Sequence, residues 1–156
     1  MGDLGQYFDL IEFERSTSAA RLGLDNSTSP AARMALSALV AEVLDPLRAA
    51  MGPIRITSGY RTHAVNEAIG GSNTSQHCKG EAADIKLVHE HNAQQLADAI
   101  AQLDLPVDQC IWYADDCGGH VHVSHTSIGN RGQFLHCYRD SQKRYSTYLP
   151  SKSRNA

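Results

Sequence analysis

The sequence predicts an α+β fold, a small antiparallel sheet flanked by helices. Three observations predict it. Short stretches with strand character run from Ile54 to Ser58, Ala82 to Val88, Gln109 to Tyr113 and His120 to His125. Apolar residues recur at helical spacing in two other places, and glycine, proline and asparagine punctuate the boundaries between them. At 156 residues the chain fits one domain able to bury a core of its own, with only residues 1–5 and 151–156 reading as flexible ends.

In chain order, Ser29-Pro30 is an N-cap followed by proline at the first helical position, and Leu36, Val40, Val43 and Leu47 supply the buried stripe. Pro46 should kink or shorten that helix near Asp45. After the Ile54 strand, Thr62 to Ile69 is a short helix stopped by Gly70-Gly71, and the polar stretch Ser72 to Gly80 is an exposed loop carrying His77. From Ala82 the period of two turns Ala83, Ile85 and Leu87 to the core and leaves Asp84 and Lys86 on the other face. Asn92 caps a helix with Gln95 at the capping-box position and a stripe of Leu96, Ile100 and Leu103. Two last strands are joined through residues 114–119, and the second places His120, His122 and Ser124 on one face with Val121 and Val123 on the other.

Composition excludes several function classes. With 20% charged residues and a net charge of -3, the chain has no basic footprint for nucleic acid. No apolar run is long enough for a membrane span, and the N-terminus does not resemble a signal peptide, so synthesis in the cytosol and no membrane insertion are expected. In that compartment Cys78, Cys110, Cys117 and Cys137 should be free thiols, and the chain is expected to be a monomer.

The chemistry concentrates in residues 75–84 and 120–124. His77, Asp84 and His122 are the set best suited to Zn²⁺, because a catalytic zinc takes three ligands from His and Asp or Glu and keeps a fourth position for water. Taken singly, a loop His is usually solvated and a strand Asp usually ends in a surface ion pair. Their company raises the odds: Ser75 two positions before His77, a glycine, two small residues, and an acid on the emerging strand. His63, His89, His91, His125 and His136 lack that setting and read as surface or supporting residues, and Cys78 as packed.

At these residues the chain resembles the zinc D-Ala-D-Ala carboxypeptidase and murein endopeptidase family, which includes vancomycin-resistance D,D-dipeptidases and phage endolysins. The family signature Ser-x-His-x-x-Gly-x-Ala-x-Asp is met at every fixed position of residues 75–84. Similarity to the branch common in phage and prophage proteins extends through Ile56-Thr57-Ser58-Gly59-Tyr60-Arg61, Asp108-Gln109 and Val121-His122-Val123-Ser124. The resemblance implies a Hedgehog/DD-peptidase-like fold with a zinc cleft, zinc held by His77, Asp84 and His122, and Arg61 and Ser75 in contact with substrate. Arg61 would also stabilise developing negative charge.

One departure concerns the general base. Relatives carry Glu or Asp three residues before the last ligand, where this chain has Gly119. Asp116, His120, Asp115 and more weakly Glu81 are the replacements to consider. The function implied is zinc-dependent hydrolysis of peptidoglycan stem peptides, as a D-Ala-D-Ala carboxypeptidase or an L-Ala-D-Glu-type endopeptidase released at lysis. The alternative is a catalytically inactive zinc-containing module that binds cell-wall peptide or belongs to a phage particle.

Overall fold

The computed structural model describes residues 2–89, 92–139 and 143–150; His91 and the expected flexible segment 151–156 lie outside them. The chain begins with two short helices, α1 (Leu10–Glu14) and α2 (Thr17–Leu22). Within residues 2–5, Leu4 is buried, the Asp3 N–H donates to Asp9 Oδ1, and the Leu10 N–H donates to Asp3 Oδ1.

Helix α3 (Pro30–Leu39) starts as its cap predicts, with the Ala32 N–H donating to Ser29 Oγ at 3.1 Å. As Pro46 leads one to expect, the regular α-helix is shortened: it gives way after Leu39 to a π-helical turn, Val40–Leu44, and resumes as α4 (Asp45–Met51). Proline has no N–H for the preceding turn, and the wider π turn just before it accommodates the lost bond. Leu36, Leu39, Val40, Val43, Leu44 and Leu47 are fully buried along this run, each such side chain contributing about 1.5–3 kcal/mol. Asp45 ties the N-terminal segment to it by accepting from the Gln6 and Tyr7 N–H groups at 2.8 and 3.2 Å.

Strand β1 (Ile54–Ser58) leads to α5 (His63–Ala68), then β2 (Ala82–Leu87), α6 (Ala93–Gln102), β3 (Gln109–Tyr113), β4 (Val121–Ser124), β5 (Gln133–Arg139) and β6 (Lys143–Thr147). They form one sheet in the order β1-β2-β4-β3-β5-β6. All pairs are antiparallel except β3 with β5, so the sheet is mixed, where a purely antiparallel one was expected. Alternation holds where it was strongest: Ala83, Ile85, Val121 and Val123 share a core with Leu96, Ala97 and Ile100 of α6. Leu103, expected in the α6 stripe, caps the helix C-terminus and is 42% exposed. No helix among the described residues is long and apolar enough to cross a membrane.

Candidate metal centre

His77 does not ride on an exposed loop. Residues Gln76–Lys79 form a 3-10 turn capped by Ser75, whose Oγ accepts from the His77 N–H at 3.2 Å, and His77 is only 3% exposed. The turn ends at Gly80 with φ 74°, and a Cβ there would stand 2.3 Å from the Ala32 carbonyl oxygen, so no other residue fits. Burial is possible because the imidazole finds a partner far away in sequence. His77 Nδ1 lies 2.6 Å from the Gly59 carbonyl oxygen, and the Arg61 N–H donates to the His77 carbonyl at 3.2 Å. A carbonyl can only accept, so Nδ1 carries the hydrogen and Nε2 presents its lone pair.

That lone pair faces the other two candidate ligands. Asp84 and His122 are direct cross-strand partners on β2 and β4, on the face away from the α6 core. Asp84 Oδ1 lies 3.1 Å from His122 Nδ1 and 3.5 Å from His77 Nε2, and one ligand atom from each residue lies within 4.8 Å of the others. Tetrahedral zinc with bonds near 2.0–2.1 Å would set its ligand atoms about 3.3 Å apart, so the donors present fit that ion in number, type and spacing. Burial alone would raise the Asp84 carboxyl; the His122 and His77 ring nitrogens beside it overrule that and hold the group well below the usual carboxylate range. The carboxylate is thus ready to ligate.

The cluster opens into a cleft of roughly 490 Å³, also lined by Arg61, Ser75, Gln109, Tyr113, Arg131 and Tyr145. Arg61 is held through its backbone by Asn26. The buried amide donates from Nδ2 to the Tyr60 and Glu14 carbonyls at 2.9 and 2.8 Å, and its Oδ1 accepts the Thr62 N–H at 2.9 Å. The Arg61 side chain reaches Ser75 Oγ through Nη2 at 3.4 Å, while its buried Nε has no hydrogen-bond partner among the described residues. Tyr113 and Tyr145 bring their hydroxyls within 3.5 Å of each other; burial, reinforced by Tyr145, pushes the Tyr113 phenol up.

The structure therefore brings together His77, Asp84, His122, Arg61 and Ser75, but not the residues considered for the base. Asp116 belongs to an exposed 3-10 turn, Asp115–Cys117, and does not line the cleft. His120 stands behind a cleft residue, stacked on Tyr113 with centroids 4.2 Å apart. Gly119 has φ 64°, and a Cβ there would lie 3.2 Å from Asp115 Oδ1, so the backbone and a like charge both disfavour a carboxylate at that position. Other histidines read as surface groups are engaged as well: His125 is buried with Nδ1 2.7 Å from the Pro106 carbonyl, and His136 stacks on Trp112 at 3.7 Å. Sequence reasoning gave no site role to Tyr113, Tyr145, Gln109 or Arg131. Tyr113 was discoverable, since β3 alternation puts it in phase with Ile111, the partner of His122.

A family model described as Peptidase M15 matches residues 6–124, a stretch that contains all three candidate ligands and ends with β4. No curated protein matches the chain. A match over most of the sequence, with the donor set that zinc requires at its centre, is decisive: the chain belongs to the peptidase M15 family of zinc-dependent peptidases acting on cell-wall peptides.

Proposed function

We propose that this protein hydrolyses peptide bonds in the stem peptides of peptidoglycan, as a D-Ala-D-Ala carboxypeptidase or an L-Ala-D-Glu-type endopeptidase. The observation that carries this reading is the convergence of His77, Asp84 and His122 in an open cleft beside a guanidinium, Arg61, with no carboxylate partner among the described residues. The chemistry supplied by zinc in such a site is Lewis acidity, which polarises a carbonyl and brings the pKa of water toward about 7. Arg61 donates hydrogen bonds to the charge that develops on the carbonyl oxygen as water adds to the carbon. Ser75 holds that guanidinium in place, and Asn26 holds its backbone.

Hydrolysis also moves a proton from the attacking water to the leaving amine. Because Asp116 and His120 stand outside the cleft, we assign the transfer to Tyr113, whose hydroxyl both accepts and donates and can act as a relay. Digestion of purified sacculi by the zinc-loaded protein, with muropeptides sorted by mass spectrometry, tests the proposal. Shortened or cleaved stems are expected; intact stems at high enzyme concentration contradict it. A wall substrate requires a route to the wall, and release at host lysis is the route we propose, as for a phage-type enzyme.

A second reading is a zinc-containing module that binds wall peptide without cutting it. It is favoured by one observation: Asp84, itself a ligand, is the only carboxylate lining the cleft among the described residues. Stoichiometric zinc and peptide binding without cleavage would select it.

A further inference from the structure

Arg131 lines the same cleft as Arg61 and the ligand cluster, but it arises from the segment between β4 and β5, beyond the region matched by the family. Its guanidinium is locked in place. Nε donates to Asp108 Oδ1 at 3.0 Å, Nη2 donates to Oδ2 at 2.8 Å, and the Arg131 backbone N–H also donates to Oδ1 at 3.0 Å. Asp108 is buried, and Gln76, the residue before His77, donates to its Oδ2 at 3.1 Å. Four donors thus fix one buried carboxylate, which joins the turn carrying His77 to the Arg131 segment. The entropy normally lost when a long side chain is immobilised is spent before any ligand arrives.

This grip uses one edge of the fork. Arginine offers five N–H donors and Asp108 takes two from the side chain, so the remaining N–H groups are left on a side chain that is 58% exposed. The cleft lining holds two guanidiniums, Arg61 and Arg131, and one carboxylate, Asp84, which is committed to the ligand cluster. Since Asp108 offsets the charge of Arg131, the residue contributes aimed hydrogen bonds more than long-range attraction. A planar fork of that kind matches a carboxylate.

We infer that Arg131 is a specificity-determining residue whose outward edge recognises a free carboxylate of the substrate peptide, a group that takes no part in the bond cleavage itself, with Asp108 and Gln76 as positioning residues. The inference rests on the hydrolytic reading for the identity of the peptide. Stem peptides offer two such groups, the α-carboxylate of D-Glu and the C-terminal carboxylate, and the test separates them. Three versions of one pentapeptide containing L-Ala-D-Glu and ending in D-Ala-D-Ala are compared: both carboxylates free, the D-Glu group amidated, and the C-terminus amidated. Cleavage is followed with zinc-loaded protein, and binding to metal-free protein is followed by calorimetry.

Amidation at one position should lower kcat/KM roughly tenfold or more, mainly through KM, and weaken binding by a similar factor. Arg131→Lys, which keeps a charge beside Asp108 but loses the fork, should reduce that discrimination to about threefold or less; Arg131→Ala is avoided because it strands a buried carboxylate. Three peptides cut and bound equally would overturn the inference, as would full discrimination surviving in Arg131→Lys. Binding that discriminates without any cleavage would sustain the inference and sink the hydrolytic reading. Absence of both binding and cleavage would sink both.

Discussion

His77 Nδ1 lies 2.6 Å from the carbonyl oxygen of Gly59, so a residue eighteen positions earlier decides which imidazole nitrogen is available to a metal. Gly59 also lies against Phe13, where an added Cβ would meet backbone atoms at 2.7 and 2.8 Å. Gly59→Ala should therefore cost about 1–3 kcal/mol in urea unfolding and also lower zinc affinity, because the carbonyl and the imidazole move together. Unchanged zinc affinity in the destabilised variant would show that this contact does not orient the ligand.

Asn26 is the corresponding support for Arg61. Asn26→Ala leaves the Tyr60 carbonyl and the Thr62 N–H without their partner in a buried setting, and a loss of about 2–3 kcal/mol is expected in thermal or urea unfolding. Under folding conditions kcat should fall more than zinc content, since the disturbed residue is Arg61 and not a ligand. Equal loss of both would place Asn26 in general stability only.

Acid stability reports on the pair behind Arg131. Hydrogen bonds from Arg131 hold the Asp108 carboxyl down at about 2, below its ordinary value near 4. A depressed folded-state pKa contributes stability that is present in full above the unfolded value and disappears as pH falls from about 4 toward 2. The contribution at neutral pH is on the order of 2 kcal/mol. Metal-free wild type should exceed Asp108→Asn in stability above pH 5, and the gap should narrow below pH 4. A gap independent of pH would contradict the ion pair.

All four cysteines are free and buried, and burial pushes the Cys78 and Cys110 thiols up. A thiol reagent should find almost no reactive group in the native protein and four in guanidinium chloride. Rapid reaction of a native thiol would reveal an opening of the fold.

Much of this molecule was legible in the sequence because its signals are local. Alternation holds from Ala83 to Leu87 and from Val121 to Val123, Ser29 and Thr62 act as helix caps through bonds spanning three residues, and the motif from Ser75 to Asp84 carries two candidate ligands in ten positions. The rest depends on distant partners. A polar stretch reads as a loop until Gly59 offers His77 its carbonyl, and Pro46 announces an interrupted helix but not the π turn that precedes it. Strand β5 is hidden because Phe134, Leu135, His136 and Cys137 show no polar alternation, being packed or stacked on both faces of the sheet, and β6 pairs only with β5 and is hidden with it. That in turn conceals Tyr145, and the unread segment before β5 conceals Arg131.

Elemental analysis of protein purified without chelators, run in parallel on wild type, His77→Ala, Asp84→Ala and His122→Ala, addresses the metal centre most directly. One zinc per wild-type chain and far less than one in each folded variant is the predicted result. Full zinc in any of the three variants, or none in the wild type, would contradict it.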